Sequence, residues 1–426
     1  MASEPMPHTL LSPYRILDLT DEKGLLCGKI LADMGADVIK IEKPGGDPAR
    51  RIGPFYRDDP HPEKSLYWFA FNTNKRGITL NLETTDGQEL FKRLAVSADF
   101  VIESFPPGTM DRLSLGRRCL EKINPGLILV SITPFGQSGP YVEQQYQVTD
   151  MILWALGGVM SISGDPDRPP NQISFPHAYL HGGAEAAQGA MMALYARSVM
   201  GRGQHVDVSI QQCLPMCTMN TMQYWDMYKV NLPCGVYKRG MVRADGSSLY
   251  NPRLWPCKDG WVFLMVGGGA LRPLVLSSEA LVAWMSERGA AGGLEGCDWE
   301  AFDSTTITQE EIDRQRRVIE PFLMAHTMAE LYEEAIKRKI LLAPVNDPKG
   351  MAESPQLAAR GFFVEIEHPE LGVRLKYCGP WVQLSRTPLS AWKRAPLIGE
   401  HNREIYEQEL GLSREQTITL KQAGII

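Results

Sequence analysis

A chain of 426 residues, 44% hydrophobic and 22% charged, carries enough apolar material for a large buried core, which excludes a disordered protein. Its length suits two domains of roughly 100–200 residues each. The formal charge of −6 gives no support to nucleic-acid binding as the main role, and no apolar run approaches the roughly 20 residues that span a bilayer.

Met1 to His8 contain proline and lack the basic-then-apolar layout of a signal peptide, so a cytoplasmic location is expected. Ile16–Thr20 (ILDLT) reads as a strand, Leu25–Met34 as a helix stopped by Gly35, and Asp37–Glu42 as a second strand. Gly77–Leu82, Asp99–Ser104 and Leu127–Thr133 read as further strands, with a helix at Gln88–Val96. Alternating strands and helices predict an α/β fold, a parallel sheet covered by helices. Gly182–Arg197 is a helix rich in Gly and Ala, expected at a tight helix or subunit contact. Gly201–Gln204 turns the chain into a strand at His205–Ile210.

From about Tyr228 prolines and glycines become frequent. Trp261–Val266 reads as a strand after the turn Lys258–Gly260, and Glu310–Lys339 is strongly helical, with many charges. These changes place a small domain at 230–345, inserted in a large domain built from 1–229 and 346–426. The tail returns to short strands and ends in a helix near Ser413–Gln422. Eight cysteines are scattered along the chain; Cys213 and Cys217 lie one helical turn apart, but no nearby Cys or His pair completes a zinc set. Reduced packing cysteines and no metal are therefore expected.

The sequence has no phosphate-binding loop of the Walker type, no G-x-G-x-x-G after the first strand and no H-E-x-x-H. What it offers is a set of polar loops at the carboxyl ends of the predicted strands, where open α/β sheets bind ligands. They are Glu42–Asp47 (EKPGGD), Asn72–Arg76 (NTNKR), Glu103–Gly108 (ESFPPG) with Arg112, and Thr133–Pro140 (TPFGQSGP).

Together these loops resemble the class III CoA-transferases, which include formyl-CoA:oxalate and carnitine CoA-transferases and are related to α-methylacyl-CoA racemase. The most specific stretches are Leu31–Asp47, Asn74–Leu82, Ile102–Gly116, Pro134–Pro140 and Ala186–Ile210, with Arg360–Phe363 and Pro396–His401. The resemblance implies an interlocked dimer whose Rossmann-like large domain is built from both chain ends around an inserted small domain. It implies coenzyme A or acyl-CoA as a substrate, with no tightly bound cofactor. The matching CoA-binding positions are Lys43, Leu80, Asn81, Leu82, Glu83, Ser104, Phe105 and Arg112. Lys43 and Arg112 can pair with phosphates, and Phe105 can support the adenine face or pack in the core.

The resemblance fails at the nucleophile. The family uses an aspartate carboxylate that attacks the acyl-CoA thioester, and the matching position is Tyr179, within Ala178–Gly183 (AYLHGG). A phenol with a pKa of about 10 cannot form the mixed anhydride of that route. The glutamine expected near the first βα turn is Glu22, and the glycine-rich loop that closes over the intermediate reads Arg243–Ser248 (RADGSS). The His–Asp pair of the racemase branch falls on Thr149 and Tyr179. His177, His181 and Glu185 lie nearby, and Glu185, one turn inside a helix starting near Gly182, is the fallback carboxylate.

The expected role is therefore a non-catalytic subunit whose partner is an aspartate-bearing paralogue. The two-subunit branch that transfers CoA from succinyl-CoA to (R)-benzylsuccinate in anaerobic toluene breakdown offers the pattern. The alternatives are an active homodimer with another carboxylate nucleophile, an acyl-CoA racemase or isomerase, and a CoA-binding regulatory protein.

Overall fold

Six short apolar runs form one parallel sheet in the computed structural model, which describes residues 9–164, 168–232, 238–242, 248–303, 306–387, 389 and 392–426. The strands are β1 (Arg15–Leu19), β2 (Asp37–Glu42), β3 (Arg76–Thr79), β4 (Phe100–Glu103), β5 (Ile128–Thr133) and β6 (His205–Ser209). Their order is β3-β2-β1-β4-β5-β6, and every neighbouring pair is parallel. Every residue of β4 and β5 is buried, as a sheet covered on both faces requires.

The helices that cover the sheet follow from local sequence. In α1 (Leu25–Asp33) the buried side is Leu25, Cys27, Gly28 and Leu31. In α2 (Thr85–Ala95), Thr84 caps the first turn, Lys92 and Arg93 sit in the last turn, and Leu90, Phe91 and Leu94 face the core. The short α3 (Asp150–Leu156) precedes α4 (His177–Met200), the long Gly/Ala helix. Its small residues are used within the chain. A Cβ on Gly183 would stand 3.0 Å from Leu26 Cβ on α1, one on Gly182 2.7 Å from Ile210, and one on Gly189 2.8 Å from Val206 on β6.

Strand order reverses between β1 and β4, so the loops leaving these two strands diverge and open a crevice at their carboxyl ends. The C-terminal segment closes the β3 edge of the sheet. Tyr406 Oη donates to the Thr79 carbonyl at 2.8 Å, and Arg76 pairs with Glu404 and Glu409 at 2.8 and 2.6 Å. Ile425 and Ile426 join the β2–β3 core. An exposed strand edge is thereby covered by the chain's own end.

By its contacts the chain divides into two units, one of Met1–Gly158, Ile173–Thr218 and Pro355–Ile426, the other of Val159–Gln172 and Met219–Ser354. In the second, Gly260–Leu264 pairs antiparallel with Leu254–Cys257 and with Leu342–Pro344 over a core holding Trp255, Trp284 and Phe322.

The strongly helical stretch Glu310–Lys339 forms two helices, Gln309–Met324 and Met328–Arg338, because Thr327 and Glu330 form a reciprocal capping box that starts the second. One expectation about a helix needs correction. The Gly/Ala helix begins at His177, so Glu185 lies more than two turns inside it. Met1–His8 and residues 243–247 of the Arg243–Ser248 loop lie outside the described residues.

Candidate functional site

The crevice at the strand reversal is a cavity of about 550 Å³. Leu19 and Asp21 reach it from β1, Ile41 to Asp47 from β2, Leu80, Leu82 and Glu83 from β3, and Ser104, Phe105 and Arg112 from beyond β4. Seven of the eight residues expected to meet CoA therefore line one cavity. The exception is Asn81, whose backbone N–H donates to the Ile425 carbonyl at 2.7 Å and whose carbonyl accepts from Thr84 Oγ1. Phe105 is partly buried and packs against the sheet core while bordering the cavity.

The cavity's loops are fixed from beneath by buried charge. Asp18 accepts the Thr20 backbone N–H at 3.0 Å, the Thr20 hydroxyl at 2.6 Å and Lys75 Nζ at 2.8 Å. Lys40 Nζ donates to the Thr20 carbonyl and pairs with Asp47 at 3.2 Å. Burial opposes ionisation of Asp18, but Lys75 and Lys40 outweigh it and hold the carboxyl below its ordinary range. The Glu42–Arg51 loop is pinned by a two-pronged Arg50–Glu42 pair at 2.6 and 2.8 Å, with the guanidinium 3.9 Å over the Trp68 ring. Each ion in these pairs is buried and partnered, so removing one would leave its mate uncompensated.

Across the crevice, the Asp21 backbone N–H donates to Ser104 Oγ at 2.8 Å, and Ser104 returns its proton to Asp21 Oδ1 at 2.7 Å. This reciprocal bond ties the β1 loop to the β4 loop. The basic side chains on the rim are more exposed. Arg112 Nη1 lies 3.4 Å and Lys43 Nζ 3.9 Å from the Glu83 carboxylate.

Tyr179 is buried in the first turn of α4. Its backbone N–H donates to Asp150 Oδ1 at 2.9 Å. Burial, then Glu22 and Asp150, push the phenol above its ordinary pKa, so it stays protonated. The same acids act on the nearby Tyr67 phenol, and burial followed by Asp21 raises the Glu22 carboxyl. The sequence did not single out Asp150, Tyr67 or Arg51, which also lines the cavity. Asp150 follows Thr149 directly, but no sequence spacing couples it to a residue 29 positions on.

On the next turn His181 stands 3.5 Å from Cys217 Sγ, and its ring stacks 6.4 Å from that of Trp154. Burial and then His177 lower the His181 pKa. The same Glu185 carboxylate acts on His181, Cys213 and Cys217, and Asp150 also acts on His181. Among the described residues no group of three or more His, Cys, Asp or Glu is arranged to hold a metal ion, and no helix is long and apolar enough to cross a membrane.

Comparison with known proteins places this geometry in a family. The succinyl-CoA:(R)-benzylsuccinate CoA-transferase subunit BbsE of Thauera aromatica is 33% identical over 401 residues, 92% of this chain and 93% of the relative. The succinyl-CoA–D-citramalate CoA-transferase of Chloroflexus aurantiacus is 30% identical over 430 residues, with both chains covered in full. A solved CAIB/BAIF family protein from Brucella suis superposes with a TM-score of 0.80 at 28% identity, over 94% of this chain and 99% of that one. The family description "CoA-transferase family III" matches residues 11–402, and the chain belongs to that family.

Proposed function

We propose that this chain is the non-catalytic subunit of a heteromeric class III CoA-transferase, which moves CoA between an acyl-CoA such as succinyl-CoA and a carboxylic acid such as benzylsuccinate. The observation that carries the reading is Tyr179: the position that matches the family's aspartate holds a buried, protonated phenol. In the family's route a carboxylate attacks the thioester carbon and CoA thiolate leaves, giving a mixed anhydride. The thiolate then attacks the enzyme's carbonyl of that anhydride and expels the donor acid. The acceptor carboxylate attacks the resulting enzyme thioester and releases the thiolate, which finally takes the acceptor acyl group and frees the enzyme carboxylate. A phenol offers neither the charge nor the acyl exchange for those steps. The aspartate is therefore supplied by a paralogous partner.

Two features support the partner. The relative from Thauera aromatica is itself named as a subunit. Opposite Gly183, which packs on α1, α4 exposes Met192, Tyr195 and Val199 at helical spacing, an apolar stripe suited to a second chain. The cavity under Lys43 and Arg112 is read as the CoA pocket, because cations, a flat aromatic ring and a backbone loop converge there at the strand reversal.

The test is co-expression with and without the aspartate-bearing paralogue. Transferase activity and a stable heteromer are expected only from the pair, and full activity from the single purified chain overturns the reading. A second reading, an active homodimer with a different carboxylate, draws support from Asp150 and Glu22, both of which act on the Tyr179 phenol. Acyl trapping on either residue would favour it.

A further inference from the structure

Three basic side chains line the cavity, Lys43, Arg51 and Arg112, and two of them meet the same carboxylate. Glu83 lies 3.9 Å from Lys43 and 3.4 Å from Arg112. The other acids at the cavity are committed elsewhere: Glu42 to Arg50, Asp47 to Lys40, and Asp21 to Ser104 and Lys23. Glu83 alone has both its charged partners on the rim where a ligand phosphate would bind. Among the described residues Arg51 forms no ion pair.

We propose that Glu83 is a specificity-determining carboxylate, a tethered anion that occupies Lys43 and Arg112 in the free pocket and that an incoming phosphate must displace. The inference rests on the reading of this cavity as the CoA pocket. Both pairs are well exposed, with side-chain exposures of 68% and 63% for the cations and 47% for Glu83. Each pair is therefore weak, and Glu83 competes with a ligand rather than locking the pocket.

The backbone that carries Glu83 is fixed at the rim. Its N–H donates to Asn81 Oδ1 at 3.1 Å, and the Asn81 N–H is held by the Ile425 carbonyl at 2.7 Å. A phosphate that seats on Lys43 and Arg112 must turn the Glu83 side chain away while its anchor stays beside the site, and like charges near each other repel even in a watery rim. The consequence is a pocket whose gain from ligand phosphates is blunted, with Arg51 as the cation left to meet them. A ligand of the same shape with fewer negative charges loses little by comparison.

Calorimetric titration of CoA into the full chain, and into its heteromer where one forms, tests this at about 50 mM and about 500 mM salt. Glu83→Gln is expected to tighten CoA binding about tenfold at low salt, and the gain should fade at high salt. In an Arg112→Ala background the same substitution should gain markedly less, because half of Glu83's partnership is already gone. Glu83→Lys, a second variant, should tighten binding further. The Glu83 side chain is half exposed and its backbone bond survives substitution, so thermal midpoints should match across the series. CoA binding that is equal in wild type and Glu83→Gln, or a gain that salt does not alter, overturns the inference and leaves the CoA pocket standing. Absence of CoA binding by every form overturns the pocket reading and the inference with it.

Discussion

Asp150 Oδ1 accepts the backbone N–H of Tyr179 at 2.9 Å. Pro176 begins α4 with no side-chain cap, so one of the helix's free N–H groups is satisfied by a carboxylate from another helix. The anion also sits at the positive end of a 24-residue helix. This bond fixes the backbone at Tyr179. It also explains why α4 starts at His177 rather than near Gly182.

Replacing Asp150 with Ala should therefore destabilise the chain by about 1–2 kcal/mol, the usual cost of losing a helix-capping oxygen. Asp150→Asn keeps an acceptor and should cost roughly half of that. Urea unfolding followed by circular dichroism measures both. Equal stability of Asp150→Ala and wild type would mean that the capping bond contributes nothing.

At the rim, Arg112→Ala should weaken CoA binding by about 1 kcal/mol, less than the roughly 1.5–3 kcal/mol of an unopposed charged hydrogen bond. The discount reflects Glu83, which is released from Arg112 by the same substitution. Arg51→Ala, with no acid to release, should lose at least as much. Calorimetry with CoA decides, and a larger loss for Arg112 would reverse this ranking.

Much of the sheet was legible because its strands are short apolar runs with helical stretches between them. The helix Leu25–Asp33 and the strand Asp37–Glu42 fall within one residue of their sequence limits. The stretch Glu310–Lys339 was legible as helical, but its continuous charged pattern hides the reciprocal bond between Thr327 and Glu330 that divides it into two helices. The CoA positions came from resemblance to a family and converge on one cavity, with Asn81 turned to the C-terminal segment by a backbone bond that no pattern encodes. The acids around Tyr179 were only half visible. Glu22 stood out as a departure from the family, whereas Asp150 matters through a contact across 29 residues. Lys40 and Lys75 lie in a predicted strand and a polar loop, and only the fold shows them buried.

Glu103 gives the folded chain a distinct pH response. It is buried at the end of β4, accepts the Phe105 N–H at 2.8 Å and is bonded by Ser131, whose hydroxyl is 2.9 Å from His205 Nε2. Burial pushes its carboxyl up to about 7, against the bonds from Ser131 and Phe105, with Asp21 and Asp207 adding to the rise. The folded chain thus keeps a proton that the unfolded chain releases near its ordinary pKa of about 4.3. Stability from this group is full below that value and is lost as pH rises through 7, by up to about 3 kcal/mol. Glu103→Gln, which carries no titrating proton, should be more stable than wild type at pH 8 and similar at pH 4. Urea midpoints at the two pH values test this, and parallel curves for the two proteins would remove Glu103 from the account.

The covalent chemistry separates the two readings of the site. If the chain is the non-catalytic subunit, incubation of the heteromer with acyl-CoA and then hydroxylamine should convert an aspartate of the partner into a hydroxamate. Peptides of this chain spanning Phe175–Arg197 should keep their mass, because the Tyr179 phenol is buried and held neutral by Glu22 and Asp150. Tyr179→Phe should then leave the heteromer's turnover within about twofold, a change worth less than roughly 0.5 kcal/mol in the barrier. Three carboxylates on this chain could produce the opposite result, and their positions rank them. Asp150 and Glu22 act directly on the Tyr179 phenol, so a hydroxamate on either would make this chain a transferase with a displaced nucleophile. Glu185 lies six residues further along α4, beside His181 and the Cys213–Cys217 turn, and labelling there would point to a site distinct from the family's. Labelling of the partner alone, together with a silent Tyr179→Phe, is the outcome expected of a subunit that contributes binding surface and leaves the nucleophile to its paralogue.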